Sequence, residues 1–180
     1  MNVCVFCGSS AGEDAIYAET AREAGQLLAK AGHTLVYGGA NIGLMGMIAD
    51  AALAHGGKVI GVIPDFLMNR EVGHRGLTEL VVVTSMHERK KRMADLADVF
   101  IALPGGWGTL DELAEILTWR QLGLIDQSIG LLNINSFFSP LVEQMKTMTE
   151  KGFLHSDNLN FLTIENSPSK LLTALGVVTV

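Results

Sequence analysis

Seven apolar runs of strand length alternate with segments of helical period along the chain, and those runs are apolar throughout rather than at every second residue. These two observations predict a doubly wound α/β domain. Strands covered on both faces read as continuous apolar runs, and strand–helix alternation demands parallel pairing through right-handed crossovers. The expected strands are Val3–Phe6, Thr34–Tyr37, Lys58–Ile63, Leu80–Val83, Val99–Leu103, Ile129–Asn133 and Phe161–Ile164. The expected helices are Asp14–Ala31, Leu44–His55, Met86–Leu96, Gly108–Leu122, Ser136–Lys151 and Pro168–Leu175. Gly32 and Gly56 stand where a helix-terminating glycine belongs. No linker or repeat interrupts the 180 residues. A single Rossmann-like domain over 1–180 follows, with a mainly parallel sheet of six or seven strands flanked by helices.

Composition excludes several function classes. With 48% hydrophobic and 18% charged residues the chain can build a core. A net charge of −6 repels a phosphate backbone or an anionic bilayer, so neither a nucleic-acid nor a membrane partner is expected. The longest uncharged segment, 31–49, is broken by His33, Asn41 and several glycines, which argues against a transmembrane span. The first residues have no basic region and pass straight into a strand, unlike a signal peptide, and a cytoplasmic location is the expectation. Cys4 and Cys7 form a C-x-x-C, but residues three apart on a strand face opposite ways. Two ordinary buried thiols are expected, with no metal.

In this fold, ligands bind beyond the carboxyl ends of the strands, where strand order reverses. Four segments there are unusual: Cys7–Gly12 (with Gly8, Ser9 and Ser10), Gly38–Gly43 (with Gly38 and Gly39), Asp65–Gly76, and Pro104–Thr109. Three are rich in glycine and small polar residues, as an anionic ligand would need. Leu103-Pro-Gly-Gly-Trp-Gly-Thr-Leu-Asp-Glu112 carries the strongest signal. Gly105, Gly106 and Gly108 let a phosphate approach backbone N–H groups at a helix N-terminus, and Thr109 adds a hydroxyl. It is neither a Walker A loop nor a dinucleotide fingerprint. Glu112 shares a helix face with Ile116 and Trp119, either as a charge on the helix dipole or as a working acid. That helix is apolar on nearly all sides, so it should also meet another subunit. Met86, Arg89, Met93 and Leu96 form one stripe, which turns Arg89 inward and Lys91 and Arg92 elsewhere. An inward arginine needs a carboxylate or phosphate, and Glu112 and a bound phosphate are both candidates. Asp65, Glu71 and His74, in the loop after Ile63, could line the site or be solvated, the usual fate of a loop histidine.

Pro104-Gly-Gly-Trp-Gly-Thr-Leu-Asp-Glu112 resembles the PGGxGTxxE signature of the LOG (Lonely Guy) family. The resemblance extends through Cys7-Gly-Ser-Ser10, Tyr37-Gly-Gly39, Gly43-Leu-Met-Gly46, Gly61-Val-Ile-Pro64, Met86-His-Glu-Arg-Lys90, Thr118-Trp-Arg-Gln-Leu-Gly123 and Gly130-Leu-Leu-Asn133. It implies a cytokinin riboside 5′-monophosphate phosphoribohydrolase that cleaves AMP or N6-modified AMP to free base and ribose 5-phosphate, without cofactor. It implies catalytic roles for Arg89 and Glu112. It also implies nucleotide contacts from Glu71, Arg89, Lys90, Thr118 and the stretch Gly106, Trp107, Gly108, Thr109, Leu110, Asp111 and Glu112, and a homodimer. Gly105 adjoins that stretch, Met86 and the 65–76 loop are candidate walls of the base pocket, and helix 108–122, apolar on nearly all sides, is the expected interface. Ala40 and Asn69 depart from the usual glycine and proline of the family. The alternative is a non-catalytic nucleotide or cofactor carrier on the same fold. An NAD(P) oxidoreductase lacks its fingerprint here, and a decarboxylase using pyridoxal phosphate would need a Schiff-base lysine in a suitable setting.

Overall fold

In a computed structural model of the chain, which describes residues 1–68 and 73–178, every expected apolar run becomes a strand. The strands are β1 (Asn2–Phe6), β2 (Thr34–Tyr37), β3 (Lys58–Pro64), β4 (Glu79–Val83), β5 (Val99–Ala102), β6 (Ser128–Leu132) and β7 (Leu162–Glu165). They form one sheet in the order β4-β3-β2-β1-β5-β6-β7, with every pairing parallel. The order reverses between β1 and β5, where Val3 pairs with Val99 and Phe6 with Ala102.

The pleat splits the core into two layers. Val3, Val5, Leu35, Tyr37, Val99 and Ile101 point to one face, covered by α1 (Ala15–Lys30), α2 (Gly43–Ala54) and α6 (Pro168–Ala174). Cys4, Phe6, Val36, Phe100 and Ala102 point to the other, covered by α3 (Met86–Leu96), α4 (Trp107–Gln121) and α5 (Ser139–Glu150). Gly25 of α1 lies against the Ile48 carbonyl of α2, so close that any side chain there would have to displace backbone. Helix starts follow local chemistry: Asp14 accepts from the Ile16 amide and Ser85 from the Glu88 amide, each as an N-cap.

Most boundaries fall within one residue of expectation, and two shifts have a clear local cause. The helix expected from Ser136 starts at Ser139 instead. Asn135 and Ser136 hold φ of 48° and 59°, and this left-handed pair breaks the helical path. The Asn133 side chain then takes the Phe138 amide at 2.7 Å. At the other boundary, α4 begins at Trp107, with Gly106 as a cap that has no side chain. Cys4 and Cys7 are free buried thiols on opposite faces. No helix among the described residues is long and apolar enough to cross a membrane.

Candidate active site

The reversal between β1 and β5 opens a crevice whose walls are the segments leaving those strands. The two segments are locked together. Gly8 donates its amide to the Pro104 carbonyl at 3.1 Å. A Cβ on Gly105 would strike Thr109 and come within 2.9 Å of the Gly8 amide nitrogen. Gly105 is therefore required by loop packing. Gly106 and Gly108 instead have open space where a side chain would stand, so these two glycines leave room for a ligand.

Two helix N-termini reach the crevice and differ in state. The amides of Leu44 and Met45, at the start of α2, bind the Gly8 carbonyl at 3.0 and 3.4 Å. The α4 terminus is different: its first intrahelical bond is Leu110 N–H to the Gly106 carbonyl at 3.1 Å. The amides of Trp107, Gly108 and Thr109 precede that bond and sit at the positive end of the helix dipole.

Arg89 and Glu112 flank that terminus, 5% and 9% exposed. The guanidinium of Arg89 is held by backbone: Nε donates to the Val62 carbonyl at 3.1 Å and Nη2 to the Gly38 carbonyl at 2.8 Å. The planar fork is thereby fixed across the carboxyl ends of β2 and β3. Burial raises the pKa of both thiols, the Glu112 charge raises it further, and the Arg89 charge opposes this. Cys4 and Cys7 are therefore protonated thiols beside two opposite charges, not nucleophiles.

A cleft of about 130 Å³ brings together Gly8, Ser9, Gly38, Met86, Arg89, Gly106, Trp107, Gly108, Thr109 and Glu112, ten of the residues expected from sequence. Gly105 lines an adjoining cavity of about 240 Å³ that shares Gly8, Ser9 and Gly106 with the cleft. The remaining candidates sit elsewhere in the single chain. Gly39 (φ 77°) packs on β3. Leu110 is half-buried against the second core layer. Lys90 donates to Asp111 and Glu115, both at 3.1 Å, tying α3 to α4. Burial alone would lower the pKa of Lys90, but the two carboxylates raise it. Thr118 donates to the Ala114 carbonyl at 2.7 Å and lines a separate groove between α4 and α5. Glu71, like Asn69, lies outside the described residues. Sequence reading did not single out Cys7 as a cleft wall, nor Tyr17 and Phe137, which meet edge to face at 5.9 Å beside the second cavity. Cys7 was findable, because it immediately follows β1; Phe137 arrives from the far side of β6, which spacing cannot show. His74 was expected to be a solvated loop residue at least as readily as a site residue, yet it is buried and bonded to Asp50. No group of three or more His, Cys, Asp or Glu placed to hold a metal occurs among the described residues.

Fold and cleft together define an α/β protein with a helix N-terminus beside a buried carboxylate and guanidinium at the sheet's strand-order reversal. Residues 45–175 match the family model described as "Possible lysine decarboxylase". The chain is 44% identical over 173 residues to cytokinin riboside 5′-monophosphate phosphoribohydrolase LOG1 of Arabidopsis thaliana, covering 96% of this chain and 81% of that protein. It is 48% identical over 155 residues to the phosphoribohydrolase LOG of Oryza sativa subsp. japonica, covering 86% of this chain and 64% of that protein. The molybdenum cofactor carrier protein of Chlamydomonas reinhardtii superposes with a TM-score of 0.74 at 20% identity, over 97% of this chain and 95% of that one, which shows a common fold. The chain belongs to the LOG family.

Proposed function

We propose that the chain hydrolyses the N-glycosidic bond of a purine nucleoside 5′-monophosphate, AMP or an N6-prenylated AMP, giving free base and ribose 5-phosphate. The observation that carries this is the single cleft in which the buried Glu112 and Arg89 flank the open amides of α4. The relatives' activity supports it.

The amides of Trp107, Gly108 and Thr109 receive the 5′-phosphate, and the space beside Gly106 and Gly108 lets it approach. Binding energy from that remote group is then available at C1′. The C1′–N bond breaks with its electron pair leaving on the base, positive charge builds on the ribose, and water adds to C1′ and gives up the proton that the departing base takes up. Glu112 stabilises that charge and orients the ribose hydroxyls or the attacking water. Arg89 is always protonated and so is a poor acid. It keeps Glu112 ionised and faces negative charge on the phosphate or the departing base.

The functional unit in this reading is a homodimer meeting through α4, and Leu122 and Leu124 at its end are 63% and 67% exposed. A reducing, cytoplasmic setting suits two unpaired buried thiols. The test is chromatography of free base released from AMP and from isopentenyl-AMP by the wild type and Glu112→Gln. Release by the wild type alone supports the glycosidase and ranks the substrates. Tight AMP binding with no release would favour the carrier reading.

A further inference from the structure

We infer that His74 and Asp50 form a clasp that positions Arg89, making both positioning residues for the reaction; this rests on the proposed role of Arg89 at the reacting centre. His74, 7% exposed, follows β3 and its 3₁₀ turn, while Asp50 lies on α2. The Gly76 amide donates to Nδ1 at 3.1 Å, which makes Nδ1 an acceptor and leaves the ring proton on Nε2. Nε2 donates to Asp50 Oδ1 at 2.9 Å. The ring is thereby held at both nitrogens, and the chain on either side of it is held with it.

The His74 amide donates to the Gly39 carbonyl at 2.9 Å, and Gly73 bridges antiparallel to Ala40. From below, the buried Tyr37 hydroxyl donates to the Ala40 carbonyl at 3.1 Å. The residues Gly38–Ala40 are thus clamped between the Tyr37 ring and the His74 segment. The carbonyl of Gly38, one peptide away from that of Gly39, accepts Arg89 Nη2 at 2.8 Å. Moving the His74 segment therefore moves one of the acceptors that hold the guanidinium in place. The clasp stands outside the cleft: neither His74 nor Asp50 lines it. Asp50 keeps a side chain 67% exposed, so its bond to His74 orients rather than fills.

Asp50→Ala, at this exposed position, removes the clasp with little loss of packing, and Asp50→Asn keeps an acceptor for Nε2. The experiment measures kcat and KM for AMP hydrolysis, the thermal midpoint, and the Arg89 Nε–H NMR signal assigned with Arg89→Lys. The expected result is a fall in kcat of about tenfold for Asp50→Ala with a smaller change in KM, a displaced Arg89 signal, and recovery to within about threefold in Asp50→Asn. His74→Leu and His74→Gln repeat the contrast from the other partner, since Gln can still donate to Asp50. Wild-type kcat and an unmoved Arg89 signal in Asp50→Ala would overturn the clasp. So would a loss that follows the thermal midpoint and is shared by Asp50→Asn. Were the wild type itself to release no base, the hydrolase reading would fail, and the Arg89 signal alone would then decide the clasp.

Discussion

The two ends of α4 differ more than their shared helix suggests. Its first two turns line the cleft: Thr109 and Glu112 are 3% and 9% exposed and stand in its wall. Its last turns do the opposite. Thr118 is exposed, Arg120 caps the exit by donating Nη1 to the Ile125 carbonyl at 3.2 Å, and Leu122 and Leu124 stand in solvent. One half lines the cleft, and the other presents an apolar surface beside the groove between α4 and α5. A run of family-like residues can thus pass along one continuous helix from a buried cleft wall to an exposed apolar end.

The sharpest way to break this contrast is Glu112→Gln, which should lower kcat by about 10²-fold or more with little change in KM for AMP, as steady-state kinetics would show. An equal fall in Thr118→Ala would erase the distinction within one chain. Next comes the pair of glycines. Gly105→Ala forces Cβ into Thr109 and Gly8 and should cost about 1–3 kcal/mol by denaturant unfolding. Gly108→Ala meets open space, so the fold should hold or gain about 0.5–1 kcal/mol while KM for the nucleotide rises. Leu122→Asp addresses the other end: it should split the proposed homodimer, halving the mass in sedimentation while the cleft of each chain stays intact.

The smallest effect concerns α3. The backbone amide and then the hydroxyl of Thr84 bind the Glu88 carboxylate, at 2.8 Å each, and hold its pKa below the ordinary 4.5. A carboxylate depressed in the folded state stabilises above its unfolded pKa and loses that contribution as pH falls through the folded value. Glu88→Gln should therefore melt slightly below the wild type at neutral pH, and the two thermal midpoints should converge in acid.

Much of this was legible because it depends on local pattern. All seven strands follow from continuous apolar runs, and the inward turn of Arg89 follows from its spacing to Met86 and Met93. What escaped depends on contacts between distant segments. The resemblance implied a nucleotide contact from Lys90, whereas its ion pairs with Asp111 and Glu115 on α4 could not be read from spacing along α3. Gly43 carries φ of 55° and abuts the backbone of Ser9, so its reason for being glycine lies in another loop. His74 looks solvated in one dimension because its partner, Asp50, precedes it by 24 positions and one intervening strand.

The crevice also bears on how the site comes into being. Its two walls follow β1 and β5, whose facing residues, such as Val3 and Val99, lie in register across most of the intervening chain. The α1–α2 pair can form early from neighbouring sequence, but the cleft exists only after this distant closure. A fragment ending before β5 would lack one wall of the cleft. A ligand held between the two walls would bind only the closed domain. Saturating nucleotide should then slow hydrogen exchange in β1 and β5 alike, coupling occupancy of a small cleft to the cooperative unfolding of the entire sheet.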